Sequence, residues 1–224
     1  MSDFALSIVL GIALAAATGF RVFLPMLIVS GAAYSGHLPL NDSFAWLGTP
    51  YALTMLSVAA VAEVIAYYIP VIDNLLDSLA TPAAFVAGTV VSAAVMIDVP
   101  PMVKWTAAVI AGGGIAGLTQ GVTAILRAHS TAWTGGLGNS VIATAELGGA
   151  LLISFLALAI PAAAIALVIL FLLLAIRLLH QLFEDRIQGT AQNRYLKPTT
   201  LLTCTNKVIR ERFSVAVHES AYGT

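Results

Sequence analysis

Apolar residues run through this chain in long blocks, and the polar residues that interrupt them are few enough to name. Six blocks are each compatible with the ~20 residues a helix needs to cross ~30 Å of hydrocarbon. The first runs from Phe4 to Val29. The second opens on Thr49-Pro50, a good N-cap and first-turn pair, and runs to Ile69, where Pro70 stops it. Val71 to Ala80 follows, with apolar residues at 71, 72, 75, 76 and 79. That spacing predicts a short interfacial helix with Asp73 and Asp77 on the opposite face. The third span, Pro82 to Ile97, is the shortest, and Asp98-Val-Pro-Pro101 then breaks the chain. The fourth span covers Val103 to Leu126, followed by a polar, Gly-rich turn from Arg127 to Asn139. The fifth covers Ser140 to Leu158, and the sixth runs from Pro161 to about His180. Beyond Gln188 no periodicity is sustained, which predicts a weakly structured tail. The pattern is that of an all-α polytopic membrane protein with about six transmembrane helices.

Composition agrees. Of 224 residues, 59% are apolar and only 9% charged, with a mean hydropathy of +0.95, against about 25% charged in a soluble domain. Charge changes the picture more than its total suggests. Up to residue 176 the basic side chains are Arg21, Lys104 and Arg127; all others lie from Arg177 to Arg212. Basic residues beside the last span predict a cytoplasmic C-terminus, and an even number of spans predicts a cytoplasmic N-terminus. Arg127 then falls on an inside loop and Lys104 on an outside one. The acidic Met-Ser-Asp-Phe start and the length of the first block predict a retained span rather than a signal peptide. The expected location is an integral protein of a bacterial inner (plasma) membrane. A single cysteine, Cys204, excludes an internal disulfide framework and a cysteine-based metal cluster.

One short stretch is written twice. Ser57-Val-Ala-Ala-Val-Ala-Glu63 returns as Ser140-Val-Ile-Ala-Thr-Ala-Glu146, and each copy ends on the only carboxylate of its apolar run. Pro82-Ala-Ala-Phe-Val-Ala87 is matched by Pro161-Ala-Ala-Ala-Ile-Ala166, and Gly11-Ile-Ala by Gly114-Ile-Ala. Thr18-Gly19 sits where Thr119 to Gly121 sits in the second copy. The matches keep one order, so we expect two three-helix repeats, residues 1–98 and 99–187, followed by a polar tail, 188–224. An odd number of spans per repeat makes the halves inverted, the layout of many secondary transporters. Coincidence among Ala- and Val-rich helices is the competing explanation.

An ionisable side chain at membrane depth is costly and by default marks a site. Glu63 and Glu146 are the first candidates, as a carboxylate pair near the pseudo-symmetry axis; the plainer alternative is that each is satisfied locally, by Arg21 or by helix ends. Arg21 lies beside Gly19 and Pro25, which interrupt helical hydrogen bonding. It either faces a substrate group or snorkels to the interface. Thr18 and Gln120 complete the candidate ion- or solute-binding set. Asp73 and Asp77, at i and i+4, are weak candidates for a metal-diphosphate site, since no further acidic residue matches them; a solvated helix face explains them more simply. Gly112 to Gly114, Gly117 and Gly121 predict close helix packing, and Thr134 to Asn139 a tight turn capping the fifth helix. The histidines 37, 129, 180 and 218 show no metal-ligand spacing. No cofactor is implied, no catalytic residue, and no nucleic-acid surface. The expected partners are the lipid bilayer and an ion or small solute, with a homo-oligomer allowed.

Ala17-Thr-Gly-Phe-Arg-Val-Phe-Leu-Pro25, Ile69-Pro-Val-Ile-Asp-Asn-Leu-Leu-Asp77 and Ser130-Thr-Ala-Trp-Thr-Gly-Gly-Leu-Gly-Asn139 resemble the DUF4126 family of membrane proteins over roughly residues 4 to 185. The resemblance implies a membrane fold and supplies no activity or substrate. It also implies that Arg21, Pro25, Asp73, Asp77 and the Gly135-Gly136 turn belong to the family pattern, while the tail beyond Gln188 departs from it. Three functions stay open on the residues: a small transporter or channel for an ion or polar solute, a non-transporting membrane scaffold, and a metal-dependent intramembrane transferase using Asp73 and Asp77. The repeat favours the first.

Overall fold

The computed structural model describes residues 2–178, 180 and 181, and their regular secondary structure is helical throughout. Residues through Ala175 form one compact unit; of a second, beginning at Ile176, the described residues continue as helix. The expected tail lies outside the described residues.

The helices are α1 (Ser2–Thr18), α2 (Phe23–Tyr34), a 3-10 helix (Asp42–Gly48), α3 (Pro50–Tyr67) and α4 (Pro70–Val95). Then come α5 (Pro101–Thr106), a π-helical segment (Ala107–Gly113) and α6 (Gly114–Thr134), which join into one continuous helix, followed by α7 (Asn139–Ala159) and α8 (Pro161–Leu178). Four of these, α3, Pro101–Thr134, α7 and α8, are long and apolar enough to cross a membrane. Val58, Val61 and Ile65 on α3, and Leu152 and Phe155 on α7, are exposed, which suits hydrocarbon surroundings and would be costly in water. The described residues are therefore all-helical in their regular structure and suited to membrane insertion.

Local chemistry explains the boundaries. Thr49 caps α3 by accepting from the Ala52 amide, and Pro50 follows where a missing N–H costs nothing. Gly135 and Gly136 take positive φ, 63° and 94°, where a side chain would be strained, and close α6 into the turn before α7.

Three expectations are corrected. The interfacial helix and third span are one helix, α4, with Pro82 inside it; a proline removes one backbone bond, and surrounding helices can carry a helix through it. Arg127 is on no loop: α6 continues past it to Thr134, and the side chain is 1% exposed. The first span is not one helix but two.

Those two helices form a hairpin. Gly11 of α1 lies against Ser92 of α4 and Met96 just past its end, while Thr18 lies beside Gly88, so α1 runs antiparallel to α4. The chain turns at Gly19–Val22. Along α2 it then travels back: Phe23 is beside Glu63, and Gly31 faces Leu53. Asn41 regains the end of α4, its amide donating to the Ala94 carbonyl at 2.8 Å. The N-terminal end of α1 and the loop after α2 therefore share one end of the bundle, called here the Asp98 end after the α4–α5 connection. The hairpin tip points to the opposite, Gly135 end, where Tyr68 Oη and Thr144 Oγ1 lie 2.9 Å apart.

The hairpin fits because its seam with α4 and the Pro101–Thr134 helix is almost without side chains. A Cβ on Gly19 would stand 2.5 Å from the Ala116 carbonyl oxygen, one on Gly88 2.5 Å from the Ala116 Cβ, and one on Gly112 2.6 Å from the Ser92 Cβ. Such backbone approach is how helices associate where no water drives them together. The packing expected of the glycines holds at 112 and 113, whereas Gly114 and Gly121 face open space. On the other side, Ala13, Leu14, Ala17 and Phe20 join Ile153 and Ala157 of α7 and Ala164 and Val168 of α8 in the main apolar cluster.

Candidate functional site

The turn Gly19–Val22 delivers the site. Gly19 admits the turn against α6, and Pro25 sits in the first turn of α2, where its missing N–H has no helical partner to lose. The first amides of α2 are thereby left without carbonyl partners. Glu63 supplies them: Val22 N–H donates to Oε1 at 2.7 Å and Phe23 N–H to Oε2 at 3.0 Å. One carboxylate thus takes two parallel N–H bonds at the positive end of a helix dipole, a charge-assisted arrangement.

Arg21, beside it, is 1% exposed. Its Nη2 donates to the Ala143 carbonyl of α7 at 2.8 Å and lies 3.7 Å from Glu146 Oε2. Its Nε and Nη1 have no hydrogen-bond partner among the described residues. Glu146 is held mainly by Arg127: Nε donates to Oε1 at 3.0 Å, and Nη2 donates to Oε2. The guanidinium carbons of Arg21 and Arg127 lie over the Tyr67 ring, 3.9 and 4.2 Å from its centroid. A ring so placed attracts both cations. Two arginines, two glutamates and a tyrosine therefore form one buried cluster whose formal charges cancel.

Of the candidates, Arg21, Glu63 and Glu146 come together here. The carboxylates do not share a partner by hydrogen bond: Glu63 takes the amides of Val22 and Phe23, and Glu146 takes the Arg127 guanidinium. Thr18 and Gln120 are buried, but Thr18 turns its hydroxyl onto the Ala15 carbonyl at 2.7 Å, and no hydrogen bond ties either residue to Glu63 or Glu146. Asp73 and Asp77 lie on the first turns of α4, and their side chains fall outside the described residues. Among the described residues no group of three or more His, Cys, Asp or Glu could hold a metal.

Arg127 and Tyr67 are the members that sequence reasoning missed. A signal existed for each. Buried Ala116, Thr119, Gln120, Thr123 and Arg127 recur at helical spacing, so a polar stripe continued through the segment read as a turn. Tyr67 follows Glu63 by four residues, one helical turn.

A cavity of about 360 Å³ reaches the cluster from the side. It is lined by Val22 and Phe23 of the hairpin, by Ala59, Ala62, Glu63, Ala66 and Tyr67 of α3, and by Leu76, Leu79, Ala80 and Ala83 of α4. Its walls are apolar except where Glu63 and Tyr67 close it.

Neither a curated protein nor a solved structure matches the chain. The family described as "Domain of unknown function (DUF4126)" matches it over residues 8–181, well over half its length, and the chain belongs to that family.

Proposed function

We propose that this protein is a small membrane transporter or channel for an ion or small polar solute, with the Arg21–Glu63–Glu146–Arg127 cluster as its central polar site. The observation that carries the reading is Arg21: a buried guanidinium in a helix break, whose Nε and Nη1 have no hydrogen-bond partner among the described residues, beside a carboxylate that itself occupies a helix N-terminus. Broken helices whose ends face ionic groups near the membrane midplane are a recurrent device of secondary transporters.

The repeat enters this reading in a modified form. α3 and α7, which carry the two copies ending on Glu63 and Glu146, run antiparallel, as inversion requires. So do α4 and α8, since α8 runs from Pro161 toward the tip, where Phe171 stacks on Phe20 at 4.8 Å between centroids. α1 and α6 run parallel, which the Gly11–Gly114 match does not anticipate; α2 is the limb that runs opposite to α6. The inverted set is therefore α2–α3–α4 against α6–α7–α8, with α1 outside it. Arg177 lies in the last turn of α8, and a basic residue at that helix end supports a cytoplasmic Gly135 end. The N-terminal end of α1 then faces the other side of a bacterial inner membrane.

Purified protein in liposomes tests the reading. Flux of an ion or small solute is expected, and Glu63→Gln combined with Glu146→Gln should abolish it. A folded protein that moves nothing, or whose flux ignores both substitutions, sinks the proposal. The scaffold reading draws support from the compensated Arg127–Glu146 pair, and it expects those substitutions to lower thermal stability alone.

A further inference from the structure

We infer that the α2 N-terminus is a carboxylate-binding site, occupied here by the chain's own Glu63, and that its exogenous ligand is an organic monocarboxylate with an apolar body. This rests on the transport reading for its purpose and deepens it by naming the substrate class. Three observations converge. Val22 N–H and Phe23 N–H grip the two oxygens of one carboxylate separately, which is recognition of a planar carboxylate rather than of a spherical anion. The 1%-exposed guanidinium of Arg21, in the same turn, keeps Nε and Nη1 without a hydrogen-bond partner among the described residues, so unused donors lie one residue from the amides that grip Glu63. The cavity leading to it is walled by Ala59, Ala62, Leu76, Leu79 and Ala83, which suits an alkyl or aryl body and not a hydrated ion.

Occupancy is then an exchange. When Glu63 takes up a proton it loses its charge and its hold on two N–H groups, and a ligand carboxylate replaces it. One proton and one anion enter together, and the cluster stays neutral, with Arg21 and Arg127 now balancing Glu146 and the ligand. Among the described residues, the charged groups that act on Glu63 are Arg21 from the turn and Glu146 from α7; Tyr67 of its own helix lines the same cavity, to which α4 presents Leu76, Leu79, Ala80 and Ala83.

Calorimetric titration of the full chain in nonionic detergent with octanoate, acetate and octylammonium tests this. Octanoate should bind at least about tenfold more tightly than acetate, because its tail is buried, and octylammonium should not bind. Native protein should bind octanoate more tightly at about pH 6 than at about pH 8. Glu63→Gln, with no charge to displace, should bind it at least about tenfold more tightly than native protein at the higher pH. Equal affinity in the two proteins, or octylammonium binding as well as octanoate, overturns the inference. Ala59→Trp fills the cavity while leaving every cluster side chain in place, and should abolish binding. If Glu63→Gln does not fold, pH-independent binding to native protein, or binding that survives the tryptophan, overturns it equally. The titration needs no membrane: octanoate binding without liposome flux removes the transport reading and keeps this site, and flux of another solute without octanoate binding does the reverse.

Discussion

Arg127 shows at the scale of one residue why a buried charge is never a local matter. Its guanidinium holds both oxygens of Glu146 and lies over Tyr67, so removing it leaves a buried carboxylate with only the looser contact to Arg21, at 3.7 Å. Breaking such a pair costs about 3–5 kcal/mol, whereas exchanging both partners for apolar residues is often neutral. Arg127→Met should therefore lower the thermal unfolding midpoint in detergent far more than Arg127→Met with Glu146→Met. Equal losses would mean that the pair contributes nothing of its own. The sequence displayed Glu146 and concealed its partner for one physical reason. A carboxylate in an all-apolar run stands out, but Arg127 is followed by His129, Ser130, Thr131 and Thr134, a composition that helices and turns share. Only burial distinguishes them.

The elements divide in the same way. Starts written in backbone chemistry were legible: Thr49-Pro50, Pro70 and Pro161 each open a helix where the sequence places one. Continuations were not, because Pro82 within α4 looks from its neighbours like the opening of a new helix. Glycines behave likewise, since their role depends on what faces them. Gly88→Ala would push a methyl to 2.5 Å from Ala116, and overpacking of this kind costs about 1–3 kcal/mol. Gly121→Ala, on the same bundle with open space before it, should instead stabilise by about 0.5–1 kcal/mol through helix propensity. Unfolding midpoints of the two variants should move in opposite directions; parallel movement would contradict the tight α1–α4–α6 seam.

For the whole molecule, the hairpin decides the sidedness. A helix pair that enters and leaves at one end contributes either no crossing or two, so residues before and after it share a side. Cysteines placed at Ser2 and Gly36 in a Cys204→Ser background should label with a membrane-impermeant maleimide from the same face, and one at Leu137, in the α6–α7 turn, from the opposite face. A single first span would put Ser2 and Gly36 on different faces. Twenty-six residues from Phe4 to Val29 match one crossing so well that length alone hid the reversal. The contacts that reveal it, Gly11 with Ser92 and Asn41 with Ala94, are long-range and leave no local mark.

The hairpin tip also sets an order in time. Its amides are satisfied by a residue 41 positions later and its guanidinium by a carbonyl 122 positions later. As the chain leaves the ribosome, the hairpin is thus completed only after helices made later have arrived. The tip's amides wait until α3 arrives and its arginine until α7 does.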